Sequence, residues 1–431
     1  RPSLAESAAE IVAAAGVFAA AWPSARFLSA LRRANVHGAI DLGCAPGLLP
    51  GRVTLDEGRA FFGEQWGSVP TRRGLDTAGM LEAAASGELN TLVLLGADPL
   101  SDFPDRDLAT RALERVDFLV AVDTALNASS MLADVVLPAA GYAERGGTTT
   151  NLEGRVTRLA AKVVPPGVSR ADWVIATELA DRLGVDLGFE SLDGIWAEIE
   201  RVAPAHSGCT VTALAASGAA DGIVIPLRAA SVQLTRRPRR LDPIATPGID
   251  SVSEQGAPFA AGAAMSPGVE PGADEETLED EESLEDEAAP VAAEVPGGNR
   301  QPSLLRFDPG AWTASVPLPP ADENSWRLVV RRGLYDHGTL VQSAESLAPL
   351  ARRQELRLAP LAMSKLGVEP GDDVRVRSPR GELVVAAVGD AGVPSGVALL
   401  QFNAAPVHET GASALLDFSL AVVEVDVEKV T

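Results

Sequence analysis

From Asn90 onward, apolar runs alternate with segments of helical spacing. TLVLLGADPL is an apolar run ending in Gly-Ala-Asp and predicts a strand, and PDRDLATRALERV has helical spacing after a first-position proline. FLVAVDTALNASS repeats the design, with Phe118 to Val122 as a strand and Asp123 at its carboxyl end, and DVVLPA follows as a third apolar run. Strands alternating with helices predict a parallel sheet, and wholly apolar strands predict one covered on both faces. Asp98 and Asp123 then sit at neighbouring strand ends, where open α/β sheets bind ligands. SRADWVIATELADRLG predicts a surface helix with Ser169 and Asp172 as a capping pair and Gly184 as its stop. Beyond Trp326 the texture changes to short alternating runs (WRLVVRR, VEPGDDVRVRSPRGELVVAAV, GVALLQF) with a helix around Leu361 to Leu366 and turns at Pro370-Gly371 and Pro379-Arg380-Gly381. That pattern predicts a small β-barrel.

Between these regions, residues 246–320 are rich in Pro, Gly, Ala and acid and cannot bury enough apolar surface to offset ordering entropy. The expected organisation is an α/β domain over 1–245, a disordered acidic linker over 246–320 and a barrel domain over 321–431. A chain of 431 residues is long enough for more than one core. The apolar run IVAAAGVFAAAW, Ile11 to Trp22, lacks an immediately preceding basic start and is too short to span a bilayer, so it is expected as buried structure.

Charge changes the picture only locally. The net charge is −23, but residues 250–299 hold fourteen Asp and Glu with no Lys or Arg, which leaves −9 for everything else. That balance argues against nucleic acid as the main partner; the one basic run, TRRPRR at Thr235 to Arg240, reads as a solvated or subunit-facing edge. Cys44 and Cys209 are far apart with no CxxC, so neither a disulfide framework nor a cysteine-ligated cluster is encoded in this stretch. The CAPG around Cys44 reads as a small buried thiol in a turn. His37, His206, His337 and His408 show no metal-ligand spacing, no GxxxxGK[ST], HExxH or GxSxG occurs, and nothing nominates a catalytic nucleophile or a metal site.

The densest chemistry lies in ERGGTTTNLEGRVTR, Glu144 to Arg158. Gly146 and Gly147 allow backbone amides to approach an anion or a planar heterocycle, Thr148 to Asn151 supply short hydrogen bonds, and Arg155 can pair with a phosphate or with Glu144 or Glu153. A dinucleotide-like or pterin-like ligand and a purely structural hydrogen-bonded loop both fit this composition.

LVLLGADPL followed by FLVAVDTALNASSMLADVVLPAAGYAERGGTTTNLEGRVTR closely resembles the molybdopterin oxidoreductase superfamily, in which strand-end Asp residues and a G-T-x-x-N-x-E-G-R loop surround a pterin dinucleotide. LAPLAMSKLGVEPGDDVRVRSPRGELVVAAV looks like the same superfamily's C-terminal cofactor-binding barrel, of double-psi type. The resemblance implies Asp98, Asp123, Gly147, Thr148, Asn151 and Arg155 as the cofactor-binding set.

Within the superfamily, FLSALRRANVHGAIDLGCAPGLLPGRV, LYDHGTLVQSAESLAPL and FNAAPVHETGASALLDFSLAV are similar to the G-subunit family of bacterial NADH-quinone oxidoreductase, respiratory complex I. That likeness implies a peripheral-arm scaffold without a redox centre or a catalytic residue of its own, its pterin pocket an empty relic. Iron–sulfur clusters would lie upstream of this stretch. Partners would be the flavin- and NADH-binding subunit and neighbouring iron–sulfur subunits, on the cytoplasmic side of the plasma membrane and attached to it only through the assembly. The alternative is the cofactor-binding half of an active molybdopterin enzyme such as a formate dehydrogenase.

Overall fold

The computed structural model describes residues 8–22, 34–216, 222–225, 325–417 and 422–430, with Leu4, Ala25, Phe27 and Leu420 as isolated positions besides. Contacts divide the chain into one compact unit, residues 1–232 with 301–431, and a second, 233–300. The second unit, the TRRPRR run and the expected linker at 246–320 all lie outside the described residues.

Helix α1 (Ala8–Ala21) takes up the N-terminal apolar run. It differs from the expectation in burial: Ala13 is covered, but Val17, Phe18 and Trp22 are exposed, the last two rings stacked at 5.6 Å. An alanine-rich helix draws on intrinsic propensity and does not need cover on every side. Next come α2 (Val36–Asp41), a two-stranded ribbon β1 (Leu48–Leu49) and β2 (Val53–Thr54), and α3 (Leu55–Trp66), which Thr54 caps by accepting from the Glu57 amide at 3.3 Å. Helix α4 (Thr77–Ser86) is capped in the same way by Asp76.

The expected parallel sheet is present as β3 (Thr91–Leu95), β4 (Phe118–Asp123) and β5 (Val135–Pro138), paired in that order. Helices α5 (Pro99–Asp102) and α6 (Arg106–Arg115) form the first crossover. Pro104 does not open α6; Asp105 does, its carboxylate accepting from the Leu108 amide at 3.0 Å. The sheet is covered less fully than its apolar strands predict. Leu92, Leu94, Leu119 and Ala121 share the face packed by α4 and α6. Among the described residues, Val122, Leu137 and Ala139 on the other face meet a helix through Ile175, while Val93, Leu95 and Phe118 are exposed.

Residues 144–158, expected as a loop, instead build a hairpin of β6 (Gly147–Thr150) and β7 (Arg155–Leu159). Threonines are strand formers, and Thr149 and Thr157 face each other with hydroxyls 2.9 Å apart. Helix α7 (Asp172–Arg182) lacks the expected Ser169–Asp172 cap: Ala171 precedes it, the Ser169 hydroxyl turns to the Pro166 carbonyl, and Asp172 pairs with Arg145. Gly184 ends it as expected, with φ of +82°. Helices α8 (Leu192–Val202) and α9 (Val211–Ala215) then pack on the hairpin, and β8 (Ile223–Val224) adds a third strand to it.

In this second core Trp196 donates to the Cys209 carbonyl at 2.5 Å and stands edge-on to the buried His206 ring. Burial holds His206 down to about 4, against the raising field of Asp41 and with the help of Arg52. The folded state therefore prefers neutral imidazole, and between that value and the ordinary 6.5 the unfolded chain binds more protons. Stability present above pH 6.5 is thus expected to fall as pH drops toward 4, by on the order of 2 kcal/mol. Urea unfolding of wild type and His206→Gln across that window checks this: the variant should lose that part of the slope, and identical slopes would exclude His206 as its source.

The C-terminal part is a closed barrel of β9 (Trp326–Arg332), β10 (Glu355–Leu358), β11 (Asp373–Arg377), β12 (Glu382–Gly389), β13 (Val397–Phe402) and β14 (Glu424–Lys429). Pairs β10/β12 and β9/β13 are parallel; β11/β12, β11/β14, β9/β14 and the closing β10/β13 pair are antiparallel. Its inward residues, among them Leu328, Val330, Leu356, Leu358, Val374, Val376 and Leu400, make the largest core of the described residues. A short helix, α10 (Thr339–Gln342), follows β9, and α11 (Pro360–Leu366) forms where the sequence predicts it, stopped by Gly367 with φ of +65°. No helix among the described residues is long and apolar enough to cross a membrane.

Candidate functional site

Asp98 follows β3 at the carboxyl end of the parallel sheet and is buried. One carboxylate oxygen accepts from the Ser129 hydroxyl at 2.6 Å and the Ser129 amide at 3.3 Å. The other accepts from the Ser101 hydroxyl at 2.7 Å and, across from the barrel, from the Thr339 hydroxyl at 3.3 Å. Asp123 ends β4 and accepts from the Thr124 amide and the Asn127 side chain, both at 2.7 Å. Asn127 and Ser130 in turn exchange backbone and side-chain bonds. The two carboxylates thus share one sheet end and the connection of residues 124–130, as the strand pattern implies.

The barrel meets that sheet end through arginines. Arg106 donates to the carbonyls of Leu100, Val407 and Glu409 at 3.1, 2.7 and 3.1 Å, and burial lowers its pKa against the fields of Asp107 and Asp98. Arg332 pairs with Asp102 at 3.1 Å and lies over the Phe402 ring, and Arg380 pairs with Asp105 at 2.9 Å. Just past β13, buried Asn403 has a φ of +56° and accepts from the His337 amide through its carbonyl, yet among the described residues neither Nδ2 nor Oδ1 of its side chain has a partner.

The other four expected residues lie on the hairpin and divide between its ends. At the turn, the Asn151 carboxamide oxygen accepts from the amides of Glu153 and Arg155 at 2.9 and 3.0 Å, and Arg155 pairs with Glu153 at 3.3 Å and reaches the Gly222 carbonyl. At the open end, Gly147 and Thr148 line an apolar cavity of about 450 Å³ against α8 and α9. The structure therefore assembles Asp98 with Asp123, Asn151 with Arg155, and Gly147 with Thr148.

Thr339, Ser129, Arg106 and Asn403 do not stand out in the sequence. Ser129 lies in the NASS stretch after β4; Thr339 and Arg106 act over separations of 241 and 301 residues, which no local pattern signals. Cys44 occupies the expected turn but is exposed, not buried, because its amide bonds back to Ala39 and the turn runs over the surface. Buried Cys209 has its thiol pushed up to about 11. Among the described residues no group of three or more His, Cys, Asp or Glu is arranged to hold a metal.

Residues 5–182 match the molybdopterin oxidoreductase family model, and residues 327–419 match that of the molydopterin dinucleotide binding domain, together more than half of the chain. The chain belongs to the molybdopterin oxidoreductase family. Its parallel sheet and closed C-terminal barrel are that family's fold. Among relatives, the second NADH-quinone oxidoreductase G-subunit of Rhizobium meliloti is 40% identical over 200 residues, 46% of this chain and 23% of the relative. The F420-dependent formate dehydrogenase subunit alpha of Methanocaldococcus jannaschii is 36% identical over 43% of this chain and 28% of its own length. The NADPH-Fe(3+) oxidoreductase subunit alpha of Geobacter sulfurreducens is 35% identical over 43% and 22%. The match thus spans about a quarter of the length of each relative. The solved acetylene hydratase from Pelobacter acetylenicus covers 88% of this chain and 51% of its own, at 14% identity and a TM-score of 0.48.

Proposed function

We propose that this stretch is a scaffold within the G-type subunit of an NADH-quinone oxidoreductase, without a redox centre of its own. The observation that carries the reading is the state of the polar groups at the sheet end. A pterin dinucleotide brings a diphosphate, which calls for cations and donors free to meet it. Arg106, Arg332 and Arg380 at the sheet end, and Arg155 at the hairpin turn, are each committed to carbonyls or carboxylates of the chain itself, and both oxygens of Asp98 are taken, one of them by the barrel. These commitments support a joint that fastens the barrel to the parallel sheet over a cofactor clamp. On this reading electrons pass from NADH through flavin and iron–sulfur clusters carried by other parts of the assembly. The chain's exposed faces then contact the flavin-bearing and iron–sulfur subunits on the cytoplasmic side of the plasma membrane.

One observation favours a second reading, that of a cofactor-holding half of a formate dehydrogenase: the two unpartnered polar atoms of buried Asn403, which a ligand would satisfy. Molybdenum and tungsten content of the natively expressed protein, purified without chelators, separates the two. A value near zero per polypeptide is expected; a stoichiometric value would overturn the scaffold reading.

A further inference from the structure

The cavity at the open end of the hairpin touches Gly147 and Thr148 of the expected cofactor set, but none of Asp98, Asp123, Asn151 and Arg155. Its volume of about 450 Å³ is far beyond an ordinary packing void and within the range of small-molecule sites. Helix α8 supplies one wall with Leu192, Ile195, Trp196 and Ile199, residues that recur at helical spacing, and α9 adds Val211 and Leu214. The hairpin supplies the other. A Cβ at Gly146 would stand 2.9 Å from the Leu192 side chain, so glycine at that position lets α8 close upon the strand.

Two polar features mark the hairpin wall. Strand β6 is an edge of its sheet, and the Thr150 amide points away from β7, to the Asn35 side chain at 2.9 Å. Alternation along a strand turns the Thr148 amide the same way, out of the ladder with β7. Arg158, cross-strand partner of Thr148, lines the same cavity and has no ion-pair partner among the described residues.

We propose that this cavity binds an amphipathic small molecule, an apolar chain or ring bearing one anionic group, with the apolar part against α8 and the anion at Arg158 and the Thr148 amide. Asp193 also lines the cavity, so the preference for an anion requires Arg158 to outweigh it; a cationic homologue tests that balance.

Isothermal titration calorimetry of the full chain with decanoate, and with decylamine as the opposite-charge probe, is the experiment. One saturable decanoate site is expected, with decylamine weaker. Arg158→Gln should weaken decanoate by about tenfold. Ala161→Trp, at an exposed lining position where a large side chain does not disturb the core, should abolish it. Circular dichroism of each variant confirms that it is folded. No saturable binding, equal affinity for both probes, or decanoate binding that Ala161→Trp leaves intact would overturn the proposal.

Discussion

Replacing Asp41 by asparagine is expected to destabilise the compact unit by about 3 kcal/mol, the size of effect seen when one partner of a buried ion pair is removed. Asp41 is the last residue of α2 and is only 3% exposed. Arg52 meets it in a bidentate fork, Nε at 2.6 Å and Nη2 at 2.8 Å, from a backbone with φ of +61° that side chains rarely adopt. A Gly51 amide bond to the Asp41 carbonyl at 2.7 Å closes the same turn. The pair ties α2 to the ribbon that precedes α3, whose Phe62 is fully buried. Asparagine keeps the shape but leaves a part-buried guanidinium, its side chain 19% exposed, without its counter-charge. Arg52→Met should cost a similar amount, and the double variant less than the sum of the two, because each single change leaves one charge stranded. Urea unfolding measures all three. A change within about 0.5 kcal/mol for Asp41→Asn, as for an ordinary surface site, would mean that water screens the pair.

The elements legible in the sequence are those whose physics is local. β3, β4 and β5 announce themselves as continuous apolar runs, and the barrel strands as alternating ones broken by Pro-Gly turns. Asp98 and Asp123 follow from that pattern, because strand ends are set by where the apolar run stops. The hairpin is not legible as a hairpin. Its glycines and threonines look equally like ligand donors and like strand residues, and the choice depends on Thr157 standing opposite Thr149 and on α8 lying over Val156. Nor is the barrel's attachment readable: Thr339 reaches Asp98 over a separation of 241 residues, and Arg106 reaches Val407 over 301. The exposed face at Val93 and Leu95 has the opposite cause. Apolar strands report what a sheet is suited to bury, and α7 covers only the end of that face near Ile175.

Asp98→Ala carries the second large expected effect, a loss of about 4 kcal/mol. The substitution strands three donors, the Ser129 amide, the Ser129 hydroxyl and the Ser101 hydroxyl, on two residues that are both buried. A buried donor left without an acceptor costs on the order of 1–3 kcal/mol. Asp98→Asn, which keeps one acceptor oxygen, should cost about half as much. Thr339→Val removes only the longest of the bonds, 3.3 Å, and should cost less than about 1 kcal/mol. This order separates a structural carboxylate from a ligand-holding one. A carboxylate kept for a cofactor would be strained or idle without it, so its removal would leave the stability of cofactor-free protein nearly unchanged or raise it. A carboxylate that joins β3 to the 124–130 connection and to the barrel makes that protein depend on it. Unfolding in urea, followed by tryptophan fluorescence on all three variants, decides between them: Asp98→Ala at wild-type stability would remove the central support of the scaffold reading.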